Sequence, residues 1–498
     1  MGKTAKSGQP KSKAKEEKKT RAPKEIKIPE TTMEKFDFLA LARSMATEIK
    51  DCGQQGVRES KLVWASGCDG LNTIAGVLTA LKIPNHQLYG SEKASAPAVF
   101  SLKRFQPGHL YQDIRASSEA DGGVICLRHG RRCRLPVDEE PALFAAGFSC
   151  KNNSILNPAR FGSSPLRPEC ESAITFDGAV LSIAHVRPRF FVLENVNGAR
   201  RSSSKHVFMI LRVMPTGAGA SASDSKKSPL DSYLEKLGTR LPEYSVTAVM
   251  ADAAPLPERR ERVFILGSRT TDLDATAWAA AVECLQRFSA GKPKHHVQTL
   301  LSLGDPAARD GAQAAANRPL KWMSEYSSCL STALATLSDK GGMTDVTEET
   351  VKAAGKRISD LYPDVLKTTP RIAATADGNE ILIDSMCKAA EAQGAPPSVP
   401  KLADLSQSVG RGSVWIHGTI GTLTTSTNYF SYDHGRFVDP EDHLRILGWD
   451  EESIKLASEC LSKAELQEAA GNGMSWAAVL KVLLPMLMRM GFLSDLLK

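Results

Sequence analysis

Short apolar runs alternate with segments of helical hydrophobic spacing along the first half of the chain. The apolar runs are rich in Val, Leu and Phe and break at Gly or at acidic residues, a pattern that predicts buried β-strands. Between them, apolar residues recur every three or four positions, which is typical of amphipathic helices. The predicted strands are KLVWASG, HQLYGSE, HLYQDI, RFFVLENV, YSVTAVMA and RVFILGS, and the predicted helices are LNTIAGVLTALK, AVFSLKRF and AITFDGAVLSIAHV.

This alternation predicts an α/β fold with an open and mostly parallel sheet. Such a sheet binds its ligands beyond the carboxyl ends of its strands. The most apolar helical pattern, AAVLKVLLPMLMRMGFL near the C-terminus, is interrupted by Lys481, Pro485 and Arg489. It therefore predicts a core helix rather than a membrane span, and we expect no membrane partner.

Changes in the pattern divide the 498 residues into four predicted segments. Residues 1–34 have no hydrophobic periodicity and little to bury, which predicts a disordered basic tail. Residues 35–269 carry the alternating strands and helices. Over 270–412 the alternation stops and Gly/Pro-rich loops join helical pieces, which predicts a smaller inserted domain. Residues 413–498 return to the first domain and close it with helices.

The net charge of +7 is unevenly placed along the chain. Residues 1–30 hold ten Lys or Arg and four Glu, so the remainder is close to neutral. A lysine-rich arm of this kind attracts nucleic acid, serves as a nuclear import signal or merely keeps a protein soluble. No apolar signal-peptide core begins the chain, and we expect a nuclear protein, or otherwise a cytoplasmic one.

The ten cysteines are scattered singly, without a C-x-x-C pair. This pattern predicts reduced thiols rather than a disulfide framework or a zinc ribbon. The densest group of possible metal ligands is CLRHGRRC, with Cys126, His129 and Cys133. Three ligands without a fourth nearby in the sequence are more typical of a turn than of a metal site, so no metal is expected.

Polar residues stand at the ends of several predicted strands, on the edge where ligands would bind. The strand FFVLENV sends Glu194 from an apolar run into this edge, where desolvation should raise the pKa of its carboxyl group toward the range useful for proton donation. Arg260 and Arg262 lie in PERRERVFILG. A guanidinium beside Cys150 would favour its thiolate, and one beside Glu194 would orient that carboxylate.

The order of these motifs resembles the cytosine-5 DNA methyltransferase family over most of residues 60–268 and 415–492. In this resemblance WASGCDG falls on the Gly-rich cofactor loop, SEKASAPAVF on the motif whose acid binds the cofactor ribose, and QDI on the motif that contacts adenine. AAGNGMSWAAV falls on the last motif, which closes over the methionine end of the cofactor. The resemblance implies a Rossmann-like S-adenosyl-L-methionine-dependent methyltransferase sheet, with the cofactor bound by Ser66, Gly67, Gly70, Glu92, Asp113 and Asn472.

The remaining motifs fall on the family's reaction chemistry. GFSC falls on the nucleophile loop, LENV is the family signature, and PERRERVFILG resembles the Gln-x-Arg-x-Arg motif. The resemblance implies Cys150 as nucleophile, Glu194 as proton donor and Arg262 as ligand of the base oxygen, with Arg260 as the fourth catalytic residue. The implied activity is cytosine-5 methylation of DNA on a base flipped out of the duplex, with residues 270–412 as the target-recognition domain.

Three residues depart from the family pattern: Ser149 replaces a proline, Asp69 a glycine and Glu258 a glutamine. Without the proline we expect a looser backbone beside Cys150, and Asp69 is expected to crowd the cofactor. A degenerate member that binds cofactor or DNA without turnover therefore stays open. So does an RNA cytosine-5 methyltransferase, although the Cys-Phe-Thr element of the tRNA branch is absent, which favours DNA. A dinucleotide-dependent oxidoreductase is disfavoured because SGCDGLN is not G-x-G-x-x-G.

Overall fold

The computed structural model describes residues 31–32, 34–50, 59–115, 123–136, 139–154, 167–201, 227–271, 273–301, 402–404, 414–415, 418–431 and 436–493. Almost all of the predicted basic tail and most of the predicted inserted domain lie outside these residues, so both stay predictions.

A nine-stranded mixed sheet forms the centre of the described chain. Its spatial order is β5-β4-β3-β2-β1-β6-β7-β9-β8. Strands β3, β2, β1, β6 and β7 run parallel, whereas β9 is antiparallel to both of its neighbours. The strands are β1 (Leu62–Gly67), β2 (Asn85–Ser91), β3 (His109–Tyr111), β4 (Val124–Cys126), β5 (Arg131–Cys133), β6 (Leu143–Gly147), β7 (Phe190–Val196), β8 (Ser245–Ala251) and β9 (Arg262–Ser268).

Helices cover both faces of this sheet, which gives three layers. Two separate apolar clusters lie between the layers, one under each set of helices. Helices α4 and α5 pack on one face; α1, α2, α3, α6 and α10 contribute to the cluster on the other. The helices are α1 (Phe38–Ile49), α2 (Thr73–Ala80), α3 (Ser95–Arg104), α4 (Glu171–Val186), α5 (Pro229–Arg240), α6 (Ala275–Ala290), α7 (Pro440–Leu447), α8 (Glu451–Cys460), α9 (Lys463–Asn472) and α10 (Trp476–Arg489). The predicted α/β fold with a Rossmann-like sheet is confirmed.

The central strands are apolar because both of their faces are covered. In β7 the first four residues are almost fully buried, and two buried polar residues, Glu194 and Asn195, follow them before the strand ends at Val196. A continuous apolar run of this kind is the normal sequence of a parallel strand between two helical layers. Strands β8 and β9 pair directly, as their closeness in the chain predicts.

Helix α10 is a core helix, as the sequence predicts. Its charged residue Lys481 is fully buried, and its ammonium group donates to Asp252 Oδ1 at 3.0 Å and Gln286 Oε1 at 2.9 Å. Burial lowers the pKa of this lysine to about 8, and the nearby Asp252 carboxylate opposes the shift. Among the described residues, no helix is long and apolar enough to span a membrane.

Helix α6 falls within the predicted inserted segment 270–412, but it packs against the main sheet. Its residues Trp278, Val282 and Leu285 belong to the apolar cluster on the sheet, and Trp278 Nε1 donates to the Val482 carbonyl at 2.8 Å. The helix therefore packs with the main sheet rather than extending away from it.

Smaller strands lie outside the main sheet. Thr31–Thr32 pairs with Lys294–His295, and four further strands form an antiparallel sheet. Those four strands are Leu402–Asp404, Val414–Trp415, Tyr429–Ser431 and Arg436–Phe437.

The order of the parallel strands reverses between β1 and β6. From β1 the chain moves outward to β2 and β3, and it then returns to place β6 on the other side of β1. Ligands of open α/β sheets bind beyond the carboxyl ends of the strands at such a reversal. Here Gly67 ends β1 and Gly147 ends β6, so the crevice beyond these two residues is the expected binding site.

Candidate active site

The loop that carries Cys150, residues 148–154, follows directly from the end of β6. Phe148 anchors its beginning, because its buried ring packs against Phe176 and Tyr233 with ring centroids 5.3 and 5.1 Å away. After Cys150 the chain turns, and the amides of Asn153 and Ser154 both donate to the Cys150 carbonyl at 2.9 Å. This turn fixes the backbone at the cysteine.

Ser149 is hydrogen-bonded to helix α4 at the position where the sequence predicted a looser backbone. Its backbone N–H donates to Thr175 Oγ1 at 2.9 Å, and its own hydroxyl oxygen accepts a hydrogen bond from the Lys151 amide at 3.5 Å. Proline has no N–H and would lose the bond to Thr175. A hydrogen bond to α4 therefore constrains the position where proline stands in the resembled family.

Asn195 ties the Cys150 loop to β7. Its side-chain amide donates to the carbonyls of Phe148 at 3.0 Å and Ser149 at 3.4 Å. Its Oδ1 accepts from Asn153 Nδ2 at 3.1 Å, so both ends of the loop meet at one buried side chain. The sequence motifs alone did not reveal the role of Asn195. A polar residue next to Glu194 at the end of an apolar strand was the available signal.

Glu194 and Arg262 form a buried ion pair at the floor of the crevice. Arg262 Nε lies 3.0 Å from Glu194 Oε1, and the two side chains are 10% and 12% exposed, respectively. The two residues lie on the neighbouring antiparallel strands β9 and β7. Burial raises the pKa of the Glu194 carboxyl group, in the direction expected from the sequence, while the charges of Arg262 and Arg260 oppose the shift.

The thiol of Cys150 interacts electrostatically with this pair. Burial raises the pKa of Cys150, and the Glu194 carboxylate raises it further. Arg262 and Arg260 act in the opposite direction but do not reverse the shift. The two guanidinium groups do favour the thiolate, as expected, but burial and the Glu194 carboxylate have the larger effect on the pKa of Cys150. In the free protein the neutral thiol is therefore the favoured form.

Gly147 leaves room for the Glu194 carboxylate. The two residues are register partners on β6 and β7. A Cβ atom at position 147 would lie 3.4 Å from Glu194 Oε2 and 3.8 Å from Met474 Cε. The absence of a side chain here keeps the space beside the carboxylate open.

Arg260 binds backbone carbonyls rather than lining the crevice with Arg262. Its buried guanidinium donates to the carbonyls of Leu423 at 2.9 Å and Gly471 at 2.8 Å, and also to that of Gly473. These contacts hold the end of α9 against the sheet. Its contacts are those of a positioning residue, whereas the resemblance implied a catalytic one.

Glu258, the residue in place of the family's glutamine, is the partner of Arg260. Its Oε1 accepts from Arg260 Nη1 at 2.9 Å and from the Leu423 amide at 2.8 Å, and both side chains are almost fully buried. A parallel β-bridge between Glu258 and Ile420 adds a backbone link. Glu258 is thus paired with the positive charge of Arg260, at the point where the segment around Ile420 and Leu423 joins the sheet.

The predicted cofactor loop lies at the carboxyl end of β1. Gly67 packs against Ile114, where any side chain would collide. Gly70 has a φ of +52°, and a Cβ atom there would meet open space. Its N–H donates to Glu92 Oε2 at 2.7 Å, while Glu92 Oε1 accepts from the Ala94 amide at 2.7 Å. Burial raises the pKa of Glu92.

Asp69 is packed beneath this loop rather than into open space. Its carboxyl group lies against Gly90 of β2, and Gln87 Nε2 donates to its Oδ2 at 3.4 Å. Gln87 also donates to Ser66 Oγ at 2.6 Å. The hydroxyl of Ser66, a predicted cofactor residue, therefore already accepts a hydrogen bond from within the protein. Burial raises the pKa of Asp69 to about 8, so its neutral form is favoured at pH 7. The expected crowding of the cofactor is not supported by this placement.

The last two predicted cofactor residues are more exposed. Asp113 follows β3 and pairs with Arg115 at 2.5 Å, and this hydrogen-bonded pair lowers the pKa of Asp113. Asn472 is the final residue of α9 and is exposed. It stands between Gly471 and Gly473, whose carbonyls Arg260 binds.

Replacing Asn195 by Ala should loosen the Cys150 loop. The variant loses the bonds to Phe148 and Ser149 and leaves their buried carbonyls without that donor, so we expect a loss of about 1–3 kcal/mol in the free energy of unfolding. Hydrogen exchange at the amides of Asn153 and Ser154 should become faster. The matched control is Asn197→Ala, since that exposed amide binds only Glu261 among the contacts described and should change stability by less than about 0.5 kcal/mol. Unchanged exchange in Asn195→Ala would contradict this role.

Replacing Glu194 by Gln should make Cys150 more reactive in the free protein. The change removes a negative charge that raises the pKa of the thiol, and one pKa unit changes the thiolate fraction about tenfold. We expect iodoacetamide to label Cys150 about three to ten times faster at pH 8, measured by mass spectrometry of its peptide. Glu261→Gln, an exposed carboxylate in the same motif, is the control and should leave the rate unchanged. Slower labelling in Glu194→Gln would show that the carboxylate does not act on the thiol in this way.

No protein-family model and no curated protein matches the chain. Among solved structures, Dnmt2 methyltransferase of S. pombe is 11% identical, with 86% of this chain and 98% of that chain covered and a TM-score of 0.40. A protein described as a DNA modification methyltransferase encoded within a prophage (E. coli) is 13% identical, with coverages of 85% and 98% and a TM-score of 0.44. The methyltransferase EhMeth of Entamoeba histolytica is 9% identical, with coverages of 88% and 99% and a TM-score of 0.41. The descriptions of all three of those proteins contain the word methyltransferase.

Proposed function

We propose that this chain is an S-adenosyl-L-methionine-dependent DNA (cytosine-5-)methyltransferase that acts through Cys150. The observation that carries the proposal is the interaction of three groups at the carboxyl ends of β6 and β7, where Cys150 interacts electrostatically with the buried Glu194–Arg262 ion pair. Cys150 supplies a thiol, Glu194 a buried carboxyl group with a raised pKa, and Arg262 a guanidinium bound to that carboxyl group. These are the groups that nucleophilic attack on a pyrimidine ring requires.

The chemistry follows from the weakness of cytosine carbon 5 as a nucleophile. Cys150 first gives its thiol proton to water, and the resulting thiolate adds to carbon 6 while the Glu194 carboxyl group gives its proton to ring nitrogen 3. The electron pair of the former 5,6 double bond is then available at carbon 5, which takes the methyl group. Loss of the carbon 5 proton to water, return of the ring nitrogen 3 proton to the Glu194 carboxylate and departure of the thiolate restore the ring and release the free cysteine.

Arg262 organises this site through its contact with Glu194. The guanidinium holds the carboxyl group at 3.0 Å and keeps its pKa from rising further with burial. Since a guanidinium has five N–H donors, it retains donors for the base oxygen while one binds Glu194. Asn195 and the Ser149 amide keep the thiol beside this pair by fixing the loop.

The residues at the end of β1 fit S-adenosyl-L-methionine. Gly70 faces open space, and the carboxylate oxygens of Glu92 keep lone pairs for ribose hydroxyls beyond the two amides they accept from. Gly67, Glu92 and Asp113 would hold the cofactor, and Asn472 would lie over its methionine end. When bound, the cofactor supplies an electrophilic methyl group.

A base within a duplex hides carbon 6, so the target cytosine is flipped out into the crevice. DNA is the proposed polymer, because the chain lacks the Cys-Phe-Thr element of the tRNA branch. Within residues 270–412, the part that follows α6 is the proposed target-recognition domain, and the basic residues 1–30 are proposed to attract nucleic acid without base specificity.

DNA that carries 5-fluorocytosine should trap the protein as a covalent adduct. Fluorine at carbon 5 cannot leave as a proton does, so the reaction stops after methyl transfer with the Cys150 bond intact. Trapping should require S-adenosyl-L-methionine and should be slowed about 10²–10⁴-fold in Glu194→Gln, which keeps shape but cannot donate the proton. The measurement is a denaturing gel of the full chain with labelled oligonucleotides rich in varied cytosine contexts.

Two matched variants separate the possible thiols. Cys150→Ala should form no adduct, whereas Cys284→Ala on α6 should trap as the wild type does. An adduct that persists in Cys150→Ala would assign the chemistry to another cysteine. An adduct on 5-fluorocytosine RNA and none on DNA would favour the RNA enzyme, and none on either would favour a binding protein without turnover.

A further inference from the structure

The edge of the sheet next to β3 brings together four metal-ligating side chains. Cys126 and Cys133 come from the hairpin of β4 and β5, His129 from the turn between them, and His109 from the start of β3. The ligand atoms of all four lie within 4.8 Å of one another. We propose that these residues form a Zn²⁺ site that fastens the edge hairpin to the sheet.

The distances within the group match a tetrahedral zinc centre. With Zn–S bonds of about 2.3 Å and Zn–N bonds of about 2.0–2.1 Å, neighbouring sulfur and nitrogen ligands are about 3.6 Å apart. His129 Nδ1 lies 3.4 Å from Cys126 Sγ and 3.4 Å from Cys133 Sγ. His129 is therefore at ligand spacing from both cysteines, and the ligand atom of His109 lies within 4.8 Å of the other three.

The backbone of the hairpin presents its three ligands to one point. Gly130 has a φ of +63°, which reverses the chain directly after His129, and its N–H donates to the Cys126 carbonyl at 2.8 Å. This reversal brings Cys126 and Cys133 onto adjacent strands around the imidazole. A left-handed conformation of this kind favours glycine.

His109 is the fourth ligand that the sequence did not reveal. Cys126 is the register partner of Tyr111, the last residue of β3, and the Leu127 amide donates to the Leu110 carbonyl, so the hairpin strand runs antiparallel to β3 back toward His109. The His109 ring lies 4.9 Å from that of His129, and its buried Nδ1 has no hydrogen-bond partner among the described residues. A buried ring nitrogen without a partner is costly unless a ligand binds it.

The donor set identifies the metal and its role. Two thiolates and two imidazoles favour Zn²⁺ over Mg²⁺ or Ca²⁺, and two thiolate charges balance the ion. Four protein ligands leave no open position, which is the mark of a structural rather than a catalytic zinc. The site is thus separate from the proposed methyl transfer at Cys150.

A bound zinc ion would mainly stabilise the β4–β5 hairpin. Its two strands have three residues each, and a hairpin of this size has little stability of its own in water. The ion would lock it to β3, the strand that leads to Asp113. The hairpin held in this way would also cover the edge of β3, which would otherwise expose unpaired backbone groups.

Metal analysis of the full chain, purified without chelators or metal-affinity resin, tests the proposal. We expect about one zinc ion per chain, measured by inductively coupled plasma mass spectrometry. His129→Ala is the sharpest variant, because its exposed side chain can be removed without opening a cavity, and zinc binding should weaken more than about a hundredfold. Ile125→Ala, at a side chain that is 50% exposed on the same hairpin, should keep its zinc.

Two further readouts identify the ligands without any assay of activity. Cobalt substitution should give the intense visible bands of a tetrahedral thiolate site in the wild type and in Cys150→Ser, but not in Cys126→Ser. Hydrogen exchange over residues 123–136 should become faster when a chelator removes the metal. Metal-free wild-type protein, a Cys126–Cys133 disulfide in protein purified under reducing conditions, or full zinc in His129→Ala would each overturn the site. None of these results bears on methyl transfer.

Discussion

Two buried guanidinium groups hold the crevice of this protein together. Arg262 neutralises Glu194 on the neighbouring strand, and Arg260 neutralises Glu258 while it binds the carbonyls at the end of α9. Removing one partner of such a pair leaves an uncompensated buried charge, which costs about 3–5 kcal/mol. The thiol of Cys150, the acid beside it and the closing C-terminal segment therefore depend on two arginines separated by one residue in the chain.

The periodicity of the sequence predicted the strands of the sheet, but it did not predict the roles of individual side chains. Apolar runs such as FFVLENV predict strands because burial on both faces imposes a local pattern. The bonds of Arg260 to Gly471 and Leu423 join segments that are far apart in the chain, so no local pattern reveals them. The sequence did not predict His109 as a ligand for the same reason, since only the pairing of β3 with the hairpin brings it near Cys126 and Cys133.

The departures from the resembled family each have a partner in the structure. Ser149 uses the N–H that proline lacks to bind Thr175, and Glu258 is paired with Arg260. Asp69 is packed under the loop against Gly90 and is held by Gln87. Each of the three positions therefore has at least one local partner, although Asp69 Oδ1 and Glu258 Oε2 are buried without a hydrogen-bond partner among the described residues.

The central claim is that Cys150 and Glu194 transfer a methyl group to cytosine. Tritiated S-adenosyl-L-methionine, incubated with the full chain and with DNA or RNA, tests it most directly when the labelled nucleoside is then identified by chromatography. The account predicts label in 5-methylcytosine from DNA, with none above background in Cys150→Ala. Label in another nucleoside, or equal label with Cys150→Ala, would contradict it.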